Sequence, residues 1–266
     1  MTTTVPFPQT ELADPKLIAI RDYWNEHIHD LEIATAPLGS LEFFDQLDAY
    51  RFDKLHYLPK VVDFASYNGK DILEVGCGAG IDAVHFARAG GNVIGIDLAE
   101  VSIDLAKKNF AARNLPGQFR VMDGQAMTFE DDSFDVVYAH GVLQYTADVS
   151  AMLREIRRVL KPGGEAIFMV YNRISWLNFM KNIVKVDLEH EDAPVFMTYS
   201  ISEFKSFLAD FKNVEVIPER FPVKTKLHKG LKAVLYNNIF VGAFNVLPRA
   251  IVRPFGWHLM AFAYKE

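Results

Sequence analysis

Cysteine is almost missing from this chain: Cys77 is the single one among 266 residues. An intramolecular disulfide is therefore excluded, as is a zinc site built from several thiolates. No uninterrupted apolar run reaches about eighteen residues, so no membrane-spanning helix is expected. The opening residues, MTTTVPFPQTELADPK, lack the basic start and apolar stretch of a signal peptide, and the expected location is cytoplasmic. Basic residues are outnumbered, 28 Lys plus Arg against 34 Asp plus Glu, for a net charge of −6. A mildly acidic chain without an Arg/Lys run suits nucleic acid poorly, so no such partner is expected. No His/Asp/Glu spacing specifies a metal, and no Ser-His-Asp order supports hydrolysis. What is plentiful is apolar: 50% of the residues are hydrophobic, enough to bury a core of ordinary size. The length fits one large domain, or one domain with an added cap.

Periodicity divides the chain. Residues 1–15 read as a loose arm rich in Thr and Pro. Helical spacing follows from Lys16 to His29, from Leu41 past Tyr50, and from Leu58 to Phe64. Short apolar strands then alternate with helices of about ten residues. The strands are DILEV (Asp71–Val75), NVIGI ending at Asp97, Phe119–Met122, FDVVY (Phe134–Tyr138) and EAIFMV (Glu165–Val170). Between them lie helices over Gly80–Ala89, Ser102–Ala112 and Val149–Leu160, the last broken by KPGG (Lys161–Gly164). This order predicts an α/β fold with a mainly parallel sheet covered by helices on both faces. A helix over Ser202–Leu208 and strands over Val214–Ile217 and Trp257–Tyr264 are expected to close it.

The sharpest local feature is Glu74-Val75-Gly76-Cys77-Gly78-Ala79-Gly80, placed between a strand and a helix. Glycines there permit a tight turn and the close approach of a ligand. Asp97, ending the next strand, is placed to accept hydrogen bonds from both hydroxyls of a ribose. The turn is not a GxGxxG run, and Glu74 would repel a passing pyrophosphate, which counts against NAD. A ligand carrying a sulfonium and an amino group tolerates such acidic residues better.

Taken together, ILEVGCGAG, VIGIDLA, MDGQAMTFEDDSFDVVYAHGVLQY and LREIRRVLKPGG resemble the successive motifs of class I SAM-dependent methyltransferases, in the branch of ubiquinone/menaquinone biosynthesis and related small-molecule enzymes. The resemblance runs from about Gly69 to Val170. It implies a Rossmann-like SAM-dependent methyltransferase fold: a mostly parallel seven-stranded sheet with an antiparallel C-terminal strand, plus a helical cap. Residues 1–65 would form the arm and cap, and 66–266 the main domain, with a lid insertion about 171–200 and a C-terminal apolar segment 231–252. The cofactor implied is S-adenosyl-L-methionine, leaving as S-adenosyl-L-homocysteine. Glu74, Gly76, Cys77, Gly78 and Gly80 would frame its methionine part, and Asp97 would hold the ribose with Leu98 on the adenine. Asp123 would bind the adenine amino group, with Met122 and Gly124 lining the ring. Met122 reads equally as core, and Asp123 also as a turn cap. His140 would stand where cofactor meets acceptor, as contact or base. Tyr23, with Trp24, would cover the cofactor or serve as core; Arg51 would reach a carboxylate of cofactor or acceptor, or stay solvated.

The expected reaction is methyl transfer by in-line displacement to a small organic acceptor, a lipophilic one being permitted. Tyr145, Tyr171, Asn172, Arg173, Trp176, Phe179 and Tyr199 are expected around the acceptor. Lys224, Lys226 and His228 form a basic turn. The apolar stretch Leu231–Val252, with Phe240 and Phe244, serves as cavity wall, as core, or as a surface for a second copy or a membrane face. A monomer or a homodimer is expected. Two rival functions stay open: an RNA or protein methyltransferase, and a non-catalytic SAM-binding scaffold or sensor.

Overall fold

The computed structural model describes residues 12–28, 30–184, 188–223, 238 and 240–266. The arm before residue 12, His29, the basic turn at Lys224, Lys226 and His228, and residues 231–237 and 239 of the apolar stretch lie outside the described residues.

Seven strands form one sheet: β1 (Asp71–Val75), β2 (Asn92–Asp97), β3 (Gln118–Val121), β4 (Phe134–His140), β5 (Leu160–Tyr171), β6 (Lys212–Glu219) and β7 (His258–Tyr264). Their order is β3-β2-β1-β4-β5-β7-β6. The first five run parallel, and β7 pairs antiparallel with both β5 and β6. The fold is therefore the Rossmann-like α/β fold of SAM-dependent methyltransferases, with the C-terminal strand reversed as expected. The strand order turns back between β1 and β4, which opens a crevice at their carboxyl ends.

The central parallel strands are mostly apolar because both faces are covered, whereas the edge strand β3 carries Gln118 and Arg120. Side chains alternate between two core layers. Leu73 and Val75 of β1 join Val137, Ala139, Ala166, Phe168 and Val170 on one side. Ile72 joins Val136, Tyr138, Ile167 and Met169 on the other. Helix α6 (Val149–Val159) shows why a stripe suffices: Met152, Leu153, Ile156 and Val159 are buried, and Asp148 caps its start by accepting from the Ala151 N–H.

The helix ends before KPGG as expected, but the next strand begins earlier than expected, at Leu160. KPGG does not separate helix from strand but lies inside β5. Gly163 has φ of +75°, and its N–H donates to the Lys265 carbonyl at 3.0 Å, while the Lys265 N–H donates to Gly164 O at 3.0 Å. The register shifts between Phe134 and Val136 opposite it. The glycines thus absorb a bulge that keeps the ladder bonded.

Three helices precede the sheet: α1 (Pro15–Glu26), α2 (Leu41–Lys54) and α3 (Leu58–Val61). Ser40 caps α2 by accepting from Phe43 N–H, and Phe43, Phe44 and Leu47 bury against Ala79 and Leu105. That contact seats α2 over the glycine turn and over α5 (Glu100–Ala112). Among the described residues the remaining α-helices are α4 (Ile81–Arg88), α7 (Trp176–Val184), α8 (Ile201–Phe207), α9 (Val241–Val246) and α10 (Arg249–Val252). Among the described residues no helix is long and apolar enough to cross a membrane.

Candidate active site

A cavity opens at the carboxyl ends of β1, β2 and β4, roofed by α1 and α2. Its floor is the glycine turn. Gly76 has φ of +65°, and a Cβ there would lie 2.5 Å from Val142 Cγ2. Gly78 has φ of +51°, and a Cβ there would meet nothing within 4 Å. The first glycine is required by packing and conformation; the second leaves open space where a ligand can approach the backbone.

Asp97 supports the turn from the side. Its Oδ2 accepts from Gly78 N–H at 2.9 Å and its Oδ1 from Ala99 N–H at 2.9 Å. A carboxylate has about four lone-pair sites, so capacity remains beyond these two N–H groups and that of Leu98 for a neighbouring hydroxyl. Burial raises the Asp97 carboxyl above its ordinary value, and the backbone N–H groups oppose that shift.

Glu74, at the end of β1, is 5% exposed and lines the same cavity. Its Oε2 has no hydrogen-bond partner. Burial first, then the charge of Asp82, pushes its carboxyl well above the ordinary value. An unpartnered buried carboxylate oxygen is expensive, and a cationic amino group is the partner that resolves it. The methionine part of S-adenosylmethionine supplies such a group, so the residues present fit that cofactor.

The opposite wall is polar and assembled from distant segments. Arg51 of α2 grips both oxygens of Asp82, whose Oδ2 also accepts from Tyr138 Oη at 2.8 Å. Burial alone would raise Asp82, but the Arg51 guanidinium holds it down at about 2. Arg51 Nη2 lies 3.2 Å from His140 Nδ1, and Arg220 Nη1 lies 3.1 Å from His258 Nε2. A guanidinium only donates, so both of these imidazole nitrogens accept. The ring protons then sit on His140 Nε2, 3.5 Å from Tyr57 Oη, and on His258 Nδ1, 2.6 Å from the same oxygen. Burial first, then the charge of Arg220, holds the fully buried His258 well below its usual range.

Most residues expected at the cofactor line this cavity: Glu74, Gly76, Cys77, Gly78, Asp97, Leu98, Met122, Gly124, His140 and Arg51. Gly80 does not; it starts α4 with φ of +70°. Asp123 is buried below the lining, where its Oδ1 accepts from Gln125 N–H and Nε2–H, the turn-capping geometry. Tyr23 points elsewhere, donating to Asp192 Oδ1 at 2.8 Å, and its neighbour Trp24 takes the lining position.

On the acceptor side Tyr145 and Tyr171 line the cavity. Seven others expected there do not. Asn172 donates from Nδ2 to Pro254 O and Gly256 O, and Phe179 is exposed. Arg173 is exposed and holds Thr198 O and Glu203. Trp176 donates from Nε1 to Arg220 O and packs on Phe240. Tyr199 is 1% exposed within the core layer of Phe168, donating to Leu143 O. Phe240 and Phe244 pack on each other at a tilt away from the cavity, Phe244 also against Phe221. Of the aromatic residues expected as one lining set, Tyr171 and Tyr199 are sent to opposite faces by the bridge between Asn172 and Tyr199.

Lys54, Tyr57, Glu189, Arg220 and His258 were not expected here. No motif carries them. His258 is the first residue of β7, paired with Tyr171, and only that antiparallel register brings it to the cavity.

The class defined by this fold and crevice agrees with comparisons to known proteins. The family described as "Methyltransferase domain" matches residues 73–168. Among curated proteins, a ubiquinone biosynthesis O-methyltransferase of Bartonella tribocorum is 32% identical over 112 residues, 42% of this chain and 45% of that protein. A sterol 4-C-methyltransferase of Caenorhabditis elegans is 28% identical over 178 residues, 66% of this chain and 51% of that protein. The chain thus spans about half the length of the curated relatives it matches. Among solved structures, the magnesium protoporphyrin IX methyltransferase of Synechocystis PCC 6803 with bound SAH superposes with a TM-score of 0.60 at 14% identity, over 94% of this chain and 99% of that one.

Proposed function

We propose that this protein is an enzyme that transfers a methyl group from S-adenosylmethionine to a small organic acceptor. The observation that carries the proposal is the cradle at the β1–β4 crevice: the orphaned, buried Glu74 oxygen beside the open face of Gly78 and the spare lone-pair capacity of Asp97. The matched family and the relatives support it. When bound, the cofactor supplies an electrophilic methyl on a cationic sulfur. Glu74 would hold its amino group, Asp97 its ribose, and Leu98, Met122 and Gly124 its ring.

The residues of the chain then align the acceptor and exclude water. Trp24, Leu47 and Leu55 supply the apolar part of the roof. His140 is proposed to contact the acceptor. Its Nδ1 faces Arg51, so it offers an Nε2–H donor to an acceptor oxygen in place of the long bond to Tyr57. Taking a proton would require that Nδ1 first leave Arg51.

Calorimetric titration with S-adenosylmethionine, S-adenosylhomocysteine and NAD tests the cofactor. Binding of the first two and not the third is expected. Tight NAD binding without either adenosyl ligand would overturn the proposal. Incubation with labelled cofactor and pooled metabolites, read by mass, tests turnover.

A further inference from the structure

Two cations of the acceptor wall converge on one oxygen. Lys54 Nζ, from the end of α2, lies 2.9 Å from Glu189 Oε1, and Arg220 Nη2, just past β6, lies 3.3 Å from the same atom. Lys54, Glu189, Arg220, His140, His258 and Tyr171 all line the cavity. We propose that the gap between Lys54 and Arg220 is the seat of a carboxylate on the methyl acceptor, and that the Glu189 side chain occupies it until the acceptor displaces it. The role of the seat rests on the methyl-transfer proposal; the seat itself does not.

Four observations support this. The cations are the buried partners, with side chains 11% and 19% exposed, whereas that of Glu189 is 39% exposed. Withdrawing two desolvated cations is costly, while turning one partly hydrated carboxylate outward is not.

Arg220 is also fixed in place. Its backbone has φ of +57°, a conformation non-glycine residues adopt rarely, and its carbonyl accepts from Trp257 N–H and Trp176 Nε1–H. The guanidinium further donates to His258. Such anchoring presets the direction of the charge before any ligand arrives.

Glu189 can turn without dragging its segment, because its main-chain oxygen is held separately by Tyr145 Oη at 3.2 Å. Charge completes the case. Lys54 also contacts Asp30 at 3.1 Å. Glu189 bridges both cations, so with it turned out Lys54 keeps its contact to Asp30 while the charge Glu189 supplied to the pair is missing, and one carboxylate restores it. An ammonium group in that place would face two like charges. A planar carboxylate bridging two N–H donors is also the geometry Glu189 already displays.

The test uses the full chain saturated with S-adenosylhomocysteine, titrated by calorimetry with benzoate and butyrate and with their neutral isosteres, benzamide and butyramide. At least one carboxylate is expected to bind about ten-fold more tightly than its amide. Glu189→Gln removes the competing charge and is expected to tighten carboxylate binding about three-fold or more, leaving the amides unchanged. Arg220→Met, and independently Lys54→Met, are expected to erase the preference while S-adenosylhomocysteine affinity holds. Thermal unfolding checks that each variant folds, and Glu189→Gln, on a half-exposed side chain, decides the matter if the cation variants do not. Equal or better binding of the amides, or no carboxylate binding even in Glu189→Gln, overturns the seat. Carboxylate preference in a protein that binds no S-adenosylhomocysteine leaves the seat standing and overturns the methyl-transfer proposal instead.

Discussion

The two ends of the cavity are built in different ways. At the cofactor end Glu74, Gly76, Cys77 and Gly78 are neighbours in sequence, and Asp97, Met122 and His140 each sit at or just past a strand's carboxyl edge. At the proposed acceptor end Lys54, Tyr57, Glu189, Arg220 and His258 come from the last residue of α2, the turn before α3, the segment after α7, the residue after β6 and the start of β7. Tyr57 and His258, which share a 2.6 Å hydrogen bond, are 201 residues apart. One end is a local motif that any chain with this βαβ order reproduces. The other exists only after the whole sheet has closed. Chemistry common to many enzymes suits the first construction, and choice of partner suits the second.

The sharpest way to break this comparison is at Asp97. Asp97→Ala removes a prospective charge-assisted bond, worth about 1.5–3 kcal/mol. Cofactor affinity is expected to fall by up to a hundred-fold, roughly 2.7 kcal/mol, by calorimetry. A folded variant that binds S-adenosylhomocysteine normally would remove Asp97 from the ribose.

Glu74 sharpens the comparison through pH. Its raised carboxyl means that the folded protein keeps a proton the unfolded chain releases above the ordinary value of 4.5. Stability from the protonated form is therefore full below that value and is lost as pH rises through the raised one. Glu74→Gln cannot ionise, so the ligand-free variant is expected to melt higher than the wild type near pH 8, by roughly 1–3 kcal/mol, and to differ little near pH 4. The same substitution is expected to weaken S-adenosylhomocysteine binding, read by calorimetry. A melting difference independent of pH would contradict the buried-charge account.

The smallest effect on either ligand is expected at Phe244. Because it packs on Phe240 and Phe221 rather than lining the cavity, Phe244→Ser should lower stability by roughly 1–2 kcal/mol. Affinity for S-adenosylhomocysteine and for carboxylate probes should stay unchanged. A selective rise in acceptor KM would return Phe244 to the cavity wall.

The same contrast explains what sequence disclosed. Strand and helix positions over residues 71–160 were legible because period and punctuation agree there, as in DILEV followed by the glycine turn. KPGG misled because Gly-rich punctuation marks a bulge as readily as a break. Tyr171 and Tyr199 looked alike in an aromatic stretch, yet one lines the cavity and the other is core. A parallel bridge between Asn172 and Tyr199 separates them, and no local pattern announces that pairing. The histidine pair around Tyr57 was invisible for the same reason: its members meet only through β7.

Helix α2 spans both constructions. Its first turns are clamped by Phe43, Phe44 and Leu47 onto Ala79 of the glycine turn, while its last turn carries Arg51 and Lys54. Fourteen residues make a rod of about 21 Å. A rod does not lengthen, so a displacement of the turn at one end reappears as a displacement of two charges at the other. For the two proposed ligands, linkage would then require that the factor by which the first improves binding of the second equal the factor by which the second improves binding of the first.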